Sequence, residues 1–422
     1  MLTAEIIAIG SELLTPEKTD TNSLWLTGRL NEIGVDVKLK TIVGDDAARL
    51  EEAIADAVKR SDLIITTGGL GPTEDDITRR CSARAIGREL VYHDELEAHL
   101  RERFKRWGRE MPEINKRQAY VIDGAEILPN PNGSAVGMLT ILGEKFLVVL
   151  PGPPRENQPM FDDHVFAKLK EKAGNVVVKR RILRVTGYGE SAVDELIAPI
   201  YTSYKNLDTS ILFTKSDIEV HLAARSDSDE KATAVVEEAT QKILDVLGDA
   251  VFSTNDETME QVLAKLLIER KMTISTAESC TGGLISRRLT EVPGSSKYFL
   301  EGVVSYSNDA KMRLLNVPRE TIETHGAVSV ETAEAMAKGM RKISDADIAL
   351  SVTGIAGPDG GTPEKPVGTV FIGYSDADGE RSKKFLFPGD RYLIRWRTSQ
   401  AALDYVRRRL LAGEKKLDIA VQ

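Results

Sequence analysis

Short apolar runs that end in glycine or proline and give way to helical stretches occur in both halves of this chain, and they dictate a layered α/β fold. In the first half they are Glu5-Ile6-Ile7-Ala8-Ile9-Gly10, Leu63-Ile64-Ile65-Thr66-Thr67-Gly68 and Phe146-Leu147-Val148-Val149-Leu150-Pro151. Runs without polar alternation are the pattern of parallel strands buried on both faces. Leu24, Leu26 and Leu30, at roughly helical spacing within Thr21 to Ile33, and the stretch Ala47 to Lys59 supply the helices between them. Pro151-Gly152-Pro153-Pro154 punctuates the end of this block, and Glu156 to Glu171 reads as its closing helix. Two of the turns are glycine-rich and of unrelated design: Thr66 to Asp76, with Gly68-Gly69-Leu70-Gly71-Pro72-Thr73 at its centre, and Ala277-Glu278-Ser279-Cys280-Thr281-Gly282-Gly283. A strand, a glycine turn and a helix start together aim backbone N–H groups at an anion, so two sites for small phosphorylated molecules are expected.

A chain of 422 residues exceeds one ordinary hydrophobic core. The expected architecture is two three-layer α/β domains, residues 1–172 and 254–416, joined by a small α+β middle module over 173–253. With 56 Lys plus Arg against 65 Asp plus Glu, the net charge of -9 offers no general attraction to polyphosphate backbones, and direct nucleic-acid binding is not expected. Two distant cysteines, Cys81 and Cys280, exclude a disulfide framework and fit a reducing, cytoplasmic setting. Neither a basic leader nor an apolar stretch of about eighteen residues is found, so no membrane association is expected.

The middle block alternates at Val178, Arg181, Leu183 and Val185, turns at Gly187-Tyr188-Gly189, and continues with a helix near Ser191 to Ile200, a strand over Asp217 to Leu222 and a helix from Asp229 to Leu247. It holds no acid, base and nucleophile set, and reads as a spacer or dimerisation module with His221 at its surface. The third block shows a helix over Thr258 to Arg270, strands at Met272 to Thr276, Gly302 to Tyr306, Ile348 to Thr353 and Gly368 to Gly373, and helices near Val330 to Lys342 and Arg395 to Leu411.

In the first turn, Gly68, Gly69 and Gly71 let the backbone approach a phosphate, and Asp75 and Asp76 open the next helix. A carboxylate beside a phosphate implies a bridging divalent cation, with magnesium the economical choice; the competing reading is that both aspartates cap the helix. Glu12, Asp20 and Asn22 follow the first strand at the carboxyl end of the sheet, where open α/β sheets bind ligands, or are ordinary loop residues.

Ile9 to Leu14, Asp20 to Ser23, Thr66 to Thr78, Asn115 to Gln118, Asn130 to Ala135 and Leu150 to Glu156 resemble the molybdopterin-binding-like domain of the CinA, competence/damage-inducible protein A, family. The resemblance spans the whole chain. For this domain it implies hydrolysis of ADP-ribose to AMP and ribose 5-phosphate with a divalent metal, magnesium or cobalt, and potassium. Carried over, Glu12, Asp20 and Asp76 would hold metal, Asp76 would also serve catalysis, and Asn22, Lys116 and Asn132 would line the pocket. Val136 stands where the family carries Pro, and Asn157 where Met is common.

In the second turn, Ser279 is a candidate nucleophile, with N–H groups near Gly282 and Gly283 as oxyanion donors. His325 in Thr324-His325-Gly326 has no orienting carboxylate motif, and the alternative base is a lysine held neutral by burial, Lys311. Cys280 is the rival nucleophile or a small buried residue. Thr353-Gly354 to Gly361 is a third glycine-rich loop able to wrap a ribose phosphate, and Arg391 suits a bidentate phosphate contact.

Ala277 to Gly283, Gly302 to Lys311, His325 to Ser329, Thr353 to Gly361, Lys365 to Thr369 and Gly389 to Arg391 resemble the family's C-terminal domain, a nicotinamide-nucleotide amidase. The resemblance implies conversion of nicotinamide mononucleotide to nicotinic acid mononucleotide and ammonia without a cofactor, by a homodimer. It makes Ser279 the nucleophile, Lys311 the base, Tyr306 an assisting hydroxyl, Thr353 a pocket residue and Arg391 the phosphate anchor. A different class of reading, a non-enzymatic molybdopterin-like ligand carrier or an accessory of competence, is distinguished from it by turnover.

Overall fold

The computed structural model describes residues 2–106, 108–174 and 176–412; the expected boundary at 416 lies outside them. The chain divides into two compact units, residues up to 179 with 225–233, and residues 180–224 with 234 onward.

The first unit contains β1 (Thr3–Ile9), α1 (Thr21–Glu32), β2 (Asp36–Val43), α2 (Ala47–Arg60), β3 (Leu63–Thr67), α3 (Thr78–Ala85), β4 (Leu90–Tyr92), α4 (Asp94–Arg106), β5 (Tyr120–Ile122), β6 (Glu126–Leu128), β7 (Gly137–Leu142), β8 (Lys145–Leu150), α5 (Pro154–Phe161) and α6 (Ala167–Ala173). Its six-stranded sheet runs β2-β1-β3-β8-β7-β6. The four strands from β2 to β8 are parallel, whereas β7 and β6 are antiparallel additions. Side chains alternate across a strand, so the all-apolar runs feed two cores. Ile7, Ile9, Ile64 and Val149 enter one, and Ala4, Ile6, Ile65 and Val148 the other. That is the three-layer arrangement the runs predict. The closing helix is α5 and α6 joined through a π-helical turn at Asp162–Phe166.

The middle module follows as β9 (Val177–Val185), α7 (Glu190–Tyr201), β10 (Leu207–Phe213), β11 (Ile218–Ser226), α8 (Asp229–Leu247) and β12 (Val251–Ser253), with strand order β10-β11-β9-β12. The C-terminal part contains α9 (Met259–Arg270), β13 (Ile274–Glu278), α10 (Leu284–Thr290), β14 (Phe299–Val304), α11 (Asn308–Leu315), α12 (Arg319–His325), α13 (Val330–Ser344), β15 (Ile348–Gly354), β16 (Thr369–Asp376), β17 (Gly379–Leu386) and α14 (Arg391–Ala412). Its sheet runs β14-β13-β15-β16-β17, the first three strands parallel. Ile274, Ile348, Leu350 and Val352 pack under α9 and α14, while Ala277 and Ala349 face Met336 and Met340 of α13.

Within the second unit the turn between β10 and β11 packs on α14. Trp396 Nε1 donates to Ser216 Oγ at 3.0 Å, and Gln400 Nε2 donates to Asp217 Oδ1 at 2.6 Å. Burial pushes the Asp217 carboxyl up to about 6. No described helix is long and apolar enough to cross a membrane.

Candidate functional site

β13 places its last residue, Glu278, fully inside the protein, and the chain leaves the sheet at Ser279, whose N–H still donates to Val352 O at 3.0 Å. The turn then needs left-handed backbone at Gly282 and Gly283, with φ of 59° and 91°, which only glycine adopts without strain. Glu278 closes it from behind. One carboxylate oxygen accepts from Gly283 N at 3.0 Å and Ile285 N at 3.1 Å, the other from Ser286 N at 2.8 Å and Ser286 Oγ at 2.7 Å. These are the orphan donors of the start of α10, which has no side-chain cap at Gly283.

Lys311 sits in the first turn of α11, whose N-cap Ser307 accepts from Ala310 N at 3.1 Å. Only 1% of Lys311 is exposed. Its Nζ lies 3.0 Å from Ser279 Oγ, 2.9 Å from Ser305 O and 3.3 Å from Tyr306 O, and no carboxylate pairs with it among the described residues. Burial without a counter-charge pulls the ammonium down to about 8. A neutral amine has two N–H bonds and one lone pair. The two carbonyls occupy the N–H bonds, which turns the lone pair toward the serine hydroxyl.

The structure brings Ser279 and Lys311 together, and the other expected residues surround them in altered roles. The oxyanion donors near Gly282 and Gly283 are a correction. Gly282 N donates to Ser279 O at 3.1 Å and Gly283 N to Glu278, because the helix start has to satisfy its own donors; the N–H groups of Cys280 and Thr281 are the ones without a partner among the described residues. The Tyr306 hydroxyl accepts from Arg391 Nη2 at 3.0 Å, while Arg391 Nη1 donates to Gly357 O at 2.8 Å. Thr353 Oγ1 donates to Ala327 O at 2.6 Å and fastens the 325–329 loop to the end of β15. Gly354 serves packing, since a Cβ there would stand 2.8 Å from Thr369 O. His325 Nδ1 lies 3.4 Å from Glu331 Oε1, outside this cluster. The Cys280 thiol is buried and pushed up to about 12 by that burial, so it stays protonated at neutral pH.

In the N-terminal domain, Gly68 is pressed onto β1, where a Cβ would meet Ile9 O at 2.3 Å, and Gly71 lies against the Asp76 carboxylate. The N–H groups of Gly69, Leu70 and Gly71 have no partner among the described residues. Asn22 Nδ2 donates to Thr67 Oγ1 at 3.0 Å and Gly152 O at 2.6 Å, tying α1 to two strand ends. Asn157 Nδ2 joins it, donating to Thr67 Oγ1 and to Pro151 O, both at 3.0 Å. Asn132 Nδ2 donates to Arg155 O at 3.0 Å, and Lys116 is drawn to Glu113 at 2.6 Å in a surface ion pair.

The carboxylates expected to hold a metal do not converge. Asp20 caps α1, accepting from Ser23 N at 2.9 Å, and Asp76 accepts from Thr73 N at 2.8 Å and Thr73 Oγ1 at 2.5 Å. Glu12 is exposed on the 3-10 turn Ser11–Leu14. Among the described residues no group of three or more His, Cys, Asp or Glu could hold an ion. Asp20 thus satisfies an orphan N–H at the start of α1, and Asp76, two residues before α3, closes the preceding turn onto Thr73. This donor set does not fit a divalent cation, and no metal-dependent step is derived from it.

Sequence reasoning missed four residues that shape these sites. Glu278 was legible as the carboxylate directly preceding the candidate nucleophile, and Arg395 as the residue one turn after Arg391. Arg395 donates to Thr281 O from Nε at 3.2 Å and Nη2 at 2.5 Å. Arg79, 4% exposed, donates to Leu70 O behind the first turn, and Glu156 accepts from Asn130 Nδ2 at 2.8 Å.

Three family matches divide the chain: "Probable molybdopterin binding domain" over 5–171, "Damage-inducible protein CinA KH domain" over 180–253 and "CinA C-terminal domain" over 256–410. A CinA-like protein of Koribacter versatilis is 49% identical over 97% of this chain and 100% of its own length. Another, from Solibacter usitatus, is 46% identical over 96% and 98%. The solved structure of a competence/damage inducible protein, CihA from Agrobacterium tumefaciens, is 41% identical, covers 37% of this chain and 98% of its own, and has a TM-score of 0.35.

Proposed function

The chain belongs to the CinA family, and from that premise we propose that its C-terminal domain hydrolyses a primary carboxamide by acyl transfer, with nicotinamide mononucleotide as substrate. The observation that carries the reading is the buried lysine amine 3.0 Å from the serine hydroxyl, with its two nearest carbonyls taking the N–H bonds. Lys311 in its neutral form accepts the Ser279 proton as Oγ attacks the carboxamide carbon. Negative charge gathers on the amide oxygen, where the free N–H groups of Cys280 and Thr281 are the available donors. The ammonium of Lys311 returns its proton to the departing nitrogen, releasing ammonia and leaving an acyl ester on Ser279. Water then attacks the ester, Lys311 takes the water proton, and the acid and free serine are restored. Arg391, at the rim beside Tyr306 and Gly357, is the group suited to a ribose phosphate.

Ammonia release from nicotinamide mononucleotide tests this. Ser279→Ala is expected to reduce turnover by several powers of ten with the fold intact. Full turnover by that variant would remove the serine from the reaction, and no turnover by the unaltered protein would favour a ligand carrier.

For the N-terminal domain the free N–H groups of Gly69 to Gly71 favour a phosphate-bearing ligand, and ADP-ribose is the candidate. Release of AMP from ADP-ribose, compared with binding alone by calorimetry, separates hydrolysis from carriage.

A further inference from the structure

We propose that Glu278 and Arg395, charges of opposite sign on either side of the Ser279 turn, are positioning residues that hold its free N–H groups ready for the oxyanion. This rests on the acyl-transfer reading above and adds to it the means by which the turn keeps its shape.

The bonds of the turn can be followed one by one. Ser279 N is held by Val352 O, Gly282 N by Ser279 O, Gly283 N by Glu278 and Leu284 N by Thr281 O at 3.4 Å. The Thr281 carbonyl is gripped by both Nε and Nη2 of Arg395. What remains are the N–H groups of Cys280 and Thr281, the two that directly follow the nucleophile.

Glu278 receives four donors on two oxygens, all from 283–286, and no Lys or Arg pairs with it among the described residues. These four hydrogen bonds fix the exit of the turn. Arg395 fixes the middle. With a carbonyl chelated by a planar guanidinium, the peptide joining Thr281 to Gly282 cannot rotate, and the peptides carrying the free N–H groups are constrained in turn. The Arg395 guanidinium would stand only 3.4 Å from a Cβ on Gly282, so its positive charge also lies against the turn where negative charge develops. Donors fixed beforehand need no reorganisation as the charge forms. Loosening them therefore acts on turnover rather than on substrate binding.

The experiment measures kcat and KM for ammonia release, and in parallel the rate at which a fluorophosphonate labels Ser279, in the full-length protein and in Arg395→Met, Arg395→Lys and Glu278→Gln. Arg395→Met is expected to lower kcat and the labelling rate roughly 10- to 100-fold with KM changed less than about threefold, a fraction of the loss on removing a whole oxyanion donor. Arg395→Lys, which keeps the charge but not the chelate, falls between. The pH midpoint of kcat stays that of the unaltered protein, because Lys311 is untouched. Glu278→Gln behaves like Arg395→Met if it folds; if it does not, the Arg395 variants decide alone. Labelling and kcat at the unaltered level in Arg395→Met overturn the inference. Labelling of Ser279 without ammonia release from nicotinamide mononucleotide overturns the substrate instead, and the labelling rates of the variants still decide the inference. A protein that neither labels nor turns over sinks both.

Discussion

Replacing Lys311 by Met separates what this lysine does for chemistry from what it does to stability, and the two move in opposite directions. Burial brings its ammonium from 10.5 down to about 8, so at neutral pH the folded protein carries a cation in a place that disfavours it by about 3 kcal/mol. Methionine has a similar length and no charge. It forfeits the hydrogen bonds to Ser305 O and Tyr306 O, worth about 1 kcal/mol each, so at pH 7 the variant is expected to be more stable by about 1 kcal/mol. Between pH 8 and 10.5 the unfolded chain still binds a proton at this position and the folded one does not. The native protein therefore gains about 3 kcal/mol as pH rises through that window, and the variant gains none. By about pH 10 the order reverses and the variant is the less stable by about 2 kcal/mol. Urea unfolding at pH 7 and pH 10 reads both differences. Turnover follows the neutral amine, about a tenth of molecules at pH 7 and half at pH 8, so kcat rises roughly tenfold from pH 7 to its alkaline plateau and is lost in the variant. A stability difference of one sign and size at both pH values, or a kcat that does not climb through pH 8, would refute the assignment of Lys311 as a buried base.

Two further outcomes follow from the same geometry. Cys280→Ser is expected to retain ammonia release, and iodoacetamide at pH 8 to leave Cys280 of the native protein unlabelled by mass spectrometry, since its thiol is buried and protonated; loss of turnover in Cys280→Ser would move the nucleophile to the sulfur. Gly133→Ala would place a Cβ 1.8 Å from a Glu156 carboxylate oxygen and push that buried side chain off Asn130, lowering N-terminal domain stability by about 1–3 kcal/mol; an unchanged melting temperature would show that the loop yields instead.

The layered halves were legible because uninterrupted apolar runs such as Leu63 to Ile65 and Ile348 to Leu350 leave no polar face, and a sheet covered on both sides is what such runs can bury. β10 was not, since Leu207–Phe213 is largely solvated and its pairing with β11 rather than its own pattern makes it a strand. At the C-terminal site the pairing of Ser279 with Lys311 was readable, whereas the donors of the oxyanion were not. Which N–H stays free depends on Glu278 turning back onto Gly283 to Ser286 and on Arg395 arriving from α14, over a hundred positions away. The N-terminal carboxylates misled for a related reason. Asp is the residue type that metals, helix starts and tight turns all recruit, and only the positions of Ser23 N and Thr73 N show that Asp20 caps a helix and Asp76 closes a turn.

Arg391 and Arg395 stand one turn apart on α14, and the very next residue, Trp396, begins the stripe that grips Ser216 and Asp217. Over so short a span a helix travels as a stiff rod, so a nudge delivered at the indole shifts both guanidinium groups as a pair. The sequence of the middle module is thereby tied to the fit of that rod: exchanging the module for a foreign segment would require refitting the rod as well.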